Sequence, residues 1–276
     1  MTLAVLCFAC LDTTAKHLGQ TLPTMQVVWM RFVSHLVLAI LILRPWCQPD
    51  LFRSRRPVIQ TLRGFFILGA TLFNFLALRE LQLAEAASIM FAAPFVVAAL
   101  AGPLLGEWAG PRRWAAIAVG FVGVLIVTRP GIGGLGPAAF ISMLAMLSYA
   151  LYSLTTRMLA GYDTLSSMII ASALIPSLAL APLALPLWVW PSGLLEWGLM
   201  LVTGAFGGIG HVFLIEAHKR APAPTLAPFI YSQIVWMVLF GWIVFADVPT
   251  WTTLVGAGVI VASGLYLLGR EHKRST

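Results

Sequence analysis

The sequence predicts an all-α integral membrane protein: ten transmembrane helices, arranged as two five-helix inverted repeats around a central cavity. Three observations favour this fold class: an apolar composition, long segments without charge, and a match between the two halves of the chain. Of the 276 residues, 60% are hydrophobic and only 10% are charged. Soluble domains carry about 25% charged residues, so the medium around this chain is expected to be lipid.

Five segments of the chain contain no Asp, Glu, Lys or Arg at all. Each is long enough for the roughly 20 apolar residues that cross a bilayer as a helix. Strands of a transmembrane barrel would instead be segments of about ten residues with alternating polarity, and these segments do not alternate. The charge-free segments are residues 86–106, 130–156, 164–195, 221–246 and 248–269.

Charges, prolines and glycines divide the chain into ten predicted spans joined by short connections, which leaves no room for a soluble domain. The predicted spans are residues 3–20, 24–43, 58–78, 85–105, 113–128, 138–159, 164–186, 194–216, 223–245 and 251–269.

Basic residues predict the orientation of these spans. With a cytoplasmic N-terminus, thirteen of the 17 Lys and Arg residues fall on the inner side, as the positive-inside rule requires. The sequence therefore predicts a bacterial inner-membrane protein with both termini in the cytoplasm, and the net charge of +7 calls for no nucleic-acid partner. The inner basic residues are Arg44, Arg53, Arg55, Arg56, Arg63, Arg112, Arg113, Arg157, Lys219, Arg220, Arg270, Lys273 and Arg274.

The two halves match at a constant offset of 140 to 141 residues. "TTAKHLGQTL" at 13–22 aligns with "LTTRMLAGYD" at 154–163, and "GEW" at 106–108 aligns with "ADV" at 246–248. Because each half has an odd number of spans, equivalent helices run in opposite directions. We therefore predict repeats over residues 1–129 and 130–276, an arrangement common in transporters with a site near the bilayer midplane.

These motifs resemble those of a known superfamily. The residues are Lys16 in "TTAKHLG", "MRF" at 30–32, Pro94 in "FAAPFVVAALAGPLLGE", and "APF" at 227–229 leading to "FADVPT". Their order and spacing resemble the ten-helix EamA-type members of the drug/metabolite transporter superfamily, and most closely the YddG-type exporters of aromatic and other amino acids. The resemblance implies alternating access around a cavity lined by spans three, four, eight and nine. Ala93 stands where many relatives carry an acid.

Proline and polar residues mark two helices as candidates for the cavity wall. Pro222, Pro224 and Pro228 open span nine, and Pro228 lies deep enough to leave a carbonyl unpaired. Irregular backbone at this depth is tolerated inside protein or beside water. The sequence therefore predicts that Pro228, Tyr231, Gln233 and Trp236 line the cavity, together with Ser88, Met90 and Pro94 of the paired span four; a kinked packing helix is the alternative.

Intramembrane charges form a second group of candidates. Asp12 and Arg31 each lie about 10–12 Å from the outer end of their spans, at 1.5 Å per residue. Since charges in lipid are usually paired or functional, we predict an Asp12–Arg31 pair, either as a structural clamp or as part of a substrate site. Lys16 and Glu85 lie nearer the outer side and are expected to act at a gate or rim, or simply to reach the interface.

Four further polar residues complete the predicted cavity lining: Asn74, Tyr149, Tyr152 and His211. The two tyrosines are three residues apart and share a helix face. His211 follows the glycine-rich "TGAFGGIG" at 203–210, which favours close helix packing. His17, His35 and His211 are candidate proton acceptors, although a packing role explains each of them as well.

The sequence contains no convincing catalytic, nucleotide-binding or metal-binding motif. "GIGGLG" at 131–136 lacks a surrounding βαβ unit, and Cys7 and Cys10 lack further ligands at useful spacing. We expect no cofactor, no metal, no nucleotide and a monomer. The predicted function is export of aromatic and other hydrophobic amino acids. The alternatives are a permease for another small metabolite or drug-like compound, or a membrane-embedded enzyme, sensor or scaffold protein.

Overall fold

A computed structural model describes residues 1–43, 49–106, 110–129, 136–159, 161–220 and 231–275. Throughout these ranges the regular structure is helical, and no strand occurs in them. The helices are α1 (Thr2–Leu18), α2 (Thr24–Leu43), α3 (Pro57–Ala77), α4 (Leu83–Met90), α5 (Ala93–Leu105), α6 (Pro111–Thr128), α7 (Gly136–Leu159), α8 (Leu165–Ala184), α9 (Leu194–Arg220), α10 (Gln233–Phe245) and α11 (Trp251–Ser275), with a short 3-10 helix at Pro49–Phe52.

The helices coincide with the predicted spans, most of them to within three residues at each end. Within the described ranges, six helical segments are long and apolar enough to cross a bilayer. This confirms an all-helical, multi-pass membrane protein. Residues 221–230, with Pro222, Pro224 and Pro228, lie outside the described ranges, so the predicted kink at the start of span nine does too. The six segments are Thr24–Leu43, Pro57–Ala77, Leu83–Leu104, Gly136–Leu159, Leu165–Ala184 and Leu194–Leu214.

The fourth span is broken, where the sequence predicted one helix over 85–105. Helix α4 ends at Met90, and α5 begins at Ala93 after a turn at Phe91 and Ala92. Pro94 lies in the first turn of α5 and has no N–H to donate to the carbonyl of Met90. The chain instead makes shorter bonds there, with the amide of Phe95 donating to the carbonyl of Ala92 at 3.0 Å. Pro94 therefore starts a new helix.

Contacts between the helices follow a pattern that is preserved when the halves of the chain are exchanged. Helix α1 packs on α9 and α3 packs on α7, while α2 packs on both α8 and α9 and α3 also packs on α8. Helix α1 contacts α10, and α7 contacts α4 and α5. Helices α6 and α11 pack against each other. When α1, α2 and α3 are matched with α7, α8 and α9, α4 and α5 with α10, and α6 with α11, exchanging the halves turns each of these contacts into another contact of the set or into itself.

Glycines allow the closest of these approaches. A Cβ placed on Gly204 of α9 would lie 2.3 Å from the Cβ of Ser34 and 2.7 Å from the amide nitrogen of His35 in α2. At the α6–α11 crossing, a Cβ on Gly256 would lie 2.8 Å from the carbonyl oxygen of Gly123. Since lipid does not drive helices together, small residues that permit backbone contact stabilise such crossings.

We expect Gly204→Ala to destabilise the bundle, because the added methyl meets backbone that cannot move independently. Overpacking of this kind costs about 1–3 kcal/mol. The measurement is the thermal unfolding of detergent-solubilised protein followed by gel filtration. The matched control is Gly258→Ala in α11, which is exposed and has no atom within 4 Å of the added methyl. Equal melting temperatures for the two variants would contradict the packing account.

Candidate functional site

Asp12 and Asn74 join the first and third helices inside the bundle. The Asn74 Nδ2 group donates to Oδ1 of Asp12 at 3.0 Å. Both side chains are half-buried, although they lie in apolar helices. The amide fixes one oxygen of the carboxylate and leaves the other open to a further donor. Asn74, predicted as cavity lining, is thereby placed beside Asp12.

Arg31 lies on α2 and is buried, with 5% of its surface exposed. Its guanidinium covers the Phe32 ring at 4.2 Å from the ring centre. Gly207 of α9 leaves room for it, since a Cβ there would lie 3.6 Å from both Nε and Nη2. Within the described residues, Arg31 Nε has no hydrogen-bond acceptor. Arg31 is therefore a buried cation with unused donor capacity.

The predicted direct pair between Asp12 and Arg31 is not formed. The ion pair found between described residues joins Lys16 to Asp247, and Asp12 and Arg31 do not approach each other within 4.0 Å. Arg31 nevertheless lies next to α1, since a Cβ on Gly207 would lie 3.1 Å from Cδ1 of Leu11 and 3.6 Å from Nε of Arg31. The carboxylate of Asp12 is hydrogen-bonded to Asn74 instead, a partner that helical spacing cannot reveal.

Two histidines lie next to Arg31. His35 of α2 and His211 of α9 stack with ring centres 6.2 Å apart and an angle of 13° between their planes. Gly208 lets the rings approach, because a Cβ there would lie 3.2 Å from Cδ2 of His35. The edge of Phe8 closes the other side of His211 at 5.3 Å. His35 Nδ1 is buried without a partner in the described residues.

Arg63 of α3 is a second buried arginine, which the sequence had placed with the inner basic residues. It is 4% exposed. Its Nε donates to Thr156 Oγ1 at 2.7 Å, and its Nη1 donates to the carbonyl of Met168 at 3.0 Å and to Oε1 of Gln60 at 3.3 Å. Nη2 donates to the Tyr152 hydroxyl at 3.0 Å. These bonds hold α3 against α7 and α8.

Tyr149 and Tyr152 are brought together on α7, as their spacing predicted. Their ring centres are 6.2 Å apart. Tyr152 is half-buried, and Tyr149 keeps 36% of its surface accessible. The Tyr152 hydroxyl accepts from Arg63 Nη2, and the Arg63 guanidinium also lies 4.8 Å from the centre of the Tyr152 ring. Tyr152 is therefore fixed by Arg63.

The polar cluster, as we use the term here, consists of Asp12, Arg31, His35, Arg63, Asn74, Tyr152 and His211. Sequence reasoning missed Arg63 in it and gave His35 only a proton-accepting role. The available signal for Arg63 was its position seven residues inside an apolar span. No group of three or more His, Cys, Asp or Glu in the described residues is placed to hold a metal ion.

Lys16 forms the ion pair at the predicted outer side. Its Nζ donates to Asp247 Oδ2 at 2.7 Å and to the carbonyl of Leu81 at 2.9 Å. The ammonium also lies 4.8 Å from the centre of the Phe245 ring. Glu85 lies at the same side. Its carboxylate accepts from the amide of Gln82 at 3.0 Å and so caps the start of α4. The ion pair thus ties α1 to the end of α10.

The remaining predicted residues lie in α4, α5 and α10. Ser88 is fully buried and donates to the carbonyl of Ala84 in its own helix, so its hydroxyl is already satisfied. Tyr231 is also buried and meets Phe91 edge-on at 5.3 Å. Half-buried positions are taken by Met90, Gln233 and Trp236, and Pro94 is exposed. Pro228 and most of the "GIGGLG" segment lie outside the described residues.

Charged side chains inside a multi-pass apolar bundle are costly and are usually functional. They favour a membrane transport protein over a protein whose helices serve only for packing. Comparison with known proteins agrees. The sequence model of the EamA-like transporter family matches residues 1–129 and again residues 136–269. The chain belongs to this family, which is part of the drug/metabolite transporter superfamily.

Curated relatives extend over nearly the whole chain. The S-adenosylmethionine uptake transporter of Rickettsia prowazekii is 26% identical over 95% of this chain and 88% of its own length. The riboflavin transporter of Vibrio cholerae is 26% identical over 100% and 93%, respectively. The pseudopaline exporter CntI of Pseudomonas aeruginosa is 27% identical over 98% and 95%. Each is a transporter of an organic metabolite by its name.

A solved structure shows that the fold is shared. A crystal structure aligns with this chain at a TM-score of 0.66, covering 96% of this chain and 95% of the other at 19% sequence identity. Sequence identity at that level is evidence for a shared fold alone.

We expect the Lys16–Asp247 pair to show energetic coupling in a double-mutant cycle with Lys16→Met and Asp247→Asn. The side chains are 11% and 26% exposed, so the coupling should reach about 1 kcal/mol, the upper end for accessible ion pairs. Thermal unfolding of the four proteins measures it. Lys16→Met combined with Glu80→Gln, an exposed acid on the same side, should be additive. Additivity in the Lys16–Asp247 cycle would contradict a stabilising pair.

Proposed function

We propose that this protein is a secondary transporter that exports amino acids, aromatic and other hydrophobic ones among them, across the bacterial inner membrane by alternating access. One observation carries the proposal: Asp12 and Arg31 are opposite charges inside an apolar bundle that do not pair with each other, and Arg31 Nε has no acceptor in the described residues. An amino acid has an ammonium and a carboxylate held a fixed short distance apart. Asp12 suits the first group and Arg31 the second.

Aromatic rings around these charges support an amphipathic substrate. Phe8 and Tyr152 border the histidines and arginines of the polar cluster, and Tyr149 lies beside Tyr152. Trp236 of α10 is half-buried and packs on Phe240 with ring centres 6.3 Å apart. Small-molecule sites are generally apolar with a few placed polar groups. The set suits a hydrophobic or aromatic side chain attached to a zwitterionic head.

The architecture supports a two-part mechanism. The family matches each half of the chain separately, and exchanging the halves preserves the helix pairs. We infer that residues 1–129 and 130–276 form inverted repeats that rock about the polar cluster, which lies in a central cavity. Lys16 and Asp247 then act as a gate at the outer side, since they connect α1 of one half to the end of α10 in the other.

Orientation and assembly follow from the charge distribution. The excess of Lys and Arg in alternate connections supports cytoplasmic termini and an inner-membrane location. We propose that the unit of transport is the monomer.

A second candidate function is transport of another small metabolite. The printed names of the relatives favour it, since they include an S-adenosylmethionine uptake transporter, a riboflavin transporter and a pseudopaline exporter. S-adenosylmethionine carries the same ammonium and carboxylate as a free amino acid, so the Asp12–Arg31 arrangement suits it too. These names also include both directions of flux, so direction is a matter for measurement.

The deciding experiment uses purified protein in proteoliposomes. Uptake and efflux of labelled phenylalanine, alanine and a cationic dye are compared with and without imposed proton and potential gradients. We expect saturable movement of phenylalanine and no movement of the dye. Dye movement without amino-acid movement would overturn the proposed substrate, whereas dependence on a proton gradient would identify the coupling ion.

Asp12→Asn tests the charge of the carboxylate separately from its shape. The amide retains an oxygen for Asn74 but no longer attracts an ammonium, so substrate affinity should fall about tenfold or more, as for a lost charged hydrogen bond. Phenylalanine transport measures this, and the melting temperature should stay near the wild-type value. Glu80→Gln is the matched control because Glu80 is exposed outside the helices. Full transport by Asp12→Asn would show that the carboxylate is dispensable.

A further inference from the structure

The polar cluster contains more positive than negative charge. Arg31 and Arg63 are both buried, at 5% and 4% exposure, and Asp12 is the acid that lies among them. Lys16 and Asp247 cancel each other at the outer side. Glu85 caps the start of α4 on that side and interacts with Lys16 and Arg129. With neutral His35 and His211, the cluster has a net charge of +1.

Neither arginine has an acidic partner in the described residues. The four acceptors of Arg63 are two hydroxyls, one amide oxygen and one carbonyl, all neutral. Arg31 contacts the Phe32 ring and has an unpaired Nε. A buried charge without a counter-ion is costly, since its hydration has been replaced only by weaker neutral groups. A bound anion would offset this cost.

Tyr152 provides the donor through which Arg63 acts. Its hydroxyl oxygen accepts from Arg63 Nη2 at 3.0 Å, which leaves the hydroxyl hydrogen available. No acceptor for that hydrogen occurs among the described residues. Because Arg63 withdraws charge from the oxygen, the hydroxyl is a stronger donor than an isolated phenol. Arg63 is thus a positioning residue, and Tyr152 is the group that meets a ligand.

We propose that the transported substrate is an amino acid, or an amino-acid derivative, with a second acidic group and a net charge of −1. This inference rests on the proposed function. The ammonium lies at Asp12, one carboxylate lies at Arg31, and the second carboxylate accepts from the Tyr152 hydroxyl in the field of Arg63. A substrate of this class neutralises the cluster, whereas a plain zwitterion leaves one positive charge uncompensated.

The test uses three ligands of nearly the same shape on the wild-type protein. They are phenylalanine, 4-carboxyphenylalanine and 4-(aminomethyl)phenylalanine, with net charges of 0, −1 and +1. Binding is measured by the ligand-induced rise in melting temperature, and transport by counterflow in proteoliposomes. We expect 4-carboxyphenylalanine to bind about tenfold more tightly than phenylalanine, as one added charge-assisted hydrogen bond predicts, and the cationic derivative to bind more weakly than either.

Single substitutions test which residues are responsible for the preference for 4-carboxyphenylalanine. Tyr152→Phe removes the donor and should abolish the preference, so that 4-carboxyphenylalanine binds no more tightly than phenylalanine. Arg63→Met should do the same if it folds, and the tyrosine variant alone suffices if it does not. Arg79→Met, at an exposed arginine of the predicted outer side, is the matched control and should keep the preference.

The outcomes separate this inference from the function on which it rests. Transport of phenylalanine with equal or weaker binding of 4-carboxyphenylalanine would overturn the inference and leave amino-acid transport standing. An unchanged preference in Tyr152→Phe would overturn the assigned role of Tyr152. If none of the three ligands binds or moves, the proposed amino-acid transport fails, and the inference fails with it.

Discussion

The structure depends on one constraint: a charge inside a lipid-embedded bundle has to be satisfied by the bundle itself. Arg63 meets this constraint through four hydrogen bonds to neutral groups on three helices. Asp12 meets it through Asn74, and Lys16 through Asp247 and a carbonyl. Such groups are retained despite their cost because they act in function or fix the pairing of helices. Arg63 and Lys16 connect elements from opposite halves of the chain, whereas Asp12 and Asn74 join two helices of the first half.

Close backbone contact is what brings these charges together. Helix α9 carries glycines where it crosses α2, and at Gly204, Gly207 and Gly208 the missing side chains are replaced by parts of Ser34, Arg31 and His35. A larger residue at Gly204 would meet the backbone of α2, and one at Gly208 would press on the His35 ring. The glycines therefore belong to the site although they make no polar contact.

The sequence predicted the helices well because lipid imposes a simple rule on length and polarity. It also placed Tyr149 beside Tyr152, since their spacing sets a shared face. It failed where a partner comes from a distant part of the chain: Asn74 beside Asp12, Asp247 beside Lys16, and Tyr152 beside Arg63. That Glu85 lies at a rim stays a prediction, and the structure adds that Glu85 caps the start of α4 through the amide of Gln82. Nothing in local periodicity reports such contacts.

By itself, the sequence determined that this is a polytopic helical membrane protein with a repeated motif, because apolar length, charge bias and internal similarity are properties of the chain alone. It also supplied the superfamily, through the order of short motifs. Only the tertiary structure decided which charges are paired, which are buried without a direct ion pair, and which tyrosine contacts Arg63. Those facts depend on distances between helices far apart in the chain, and several different packings are compatible with the same pattern of apolar and polar residues.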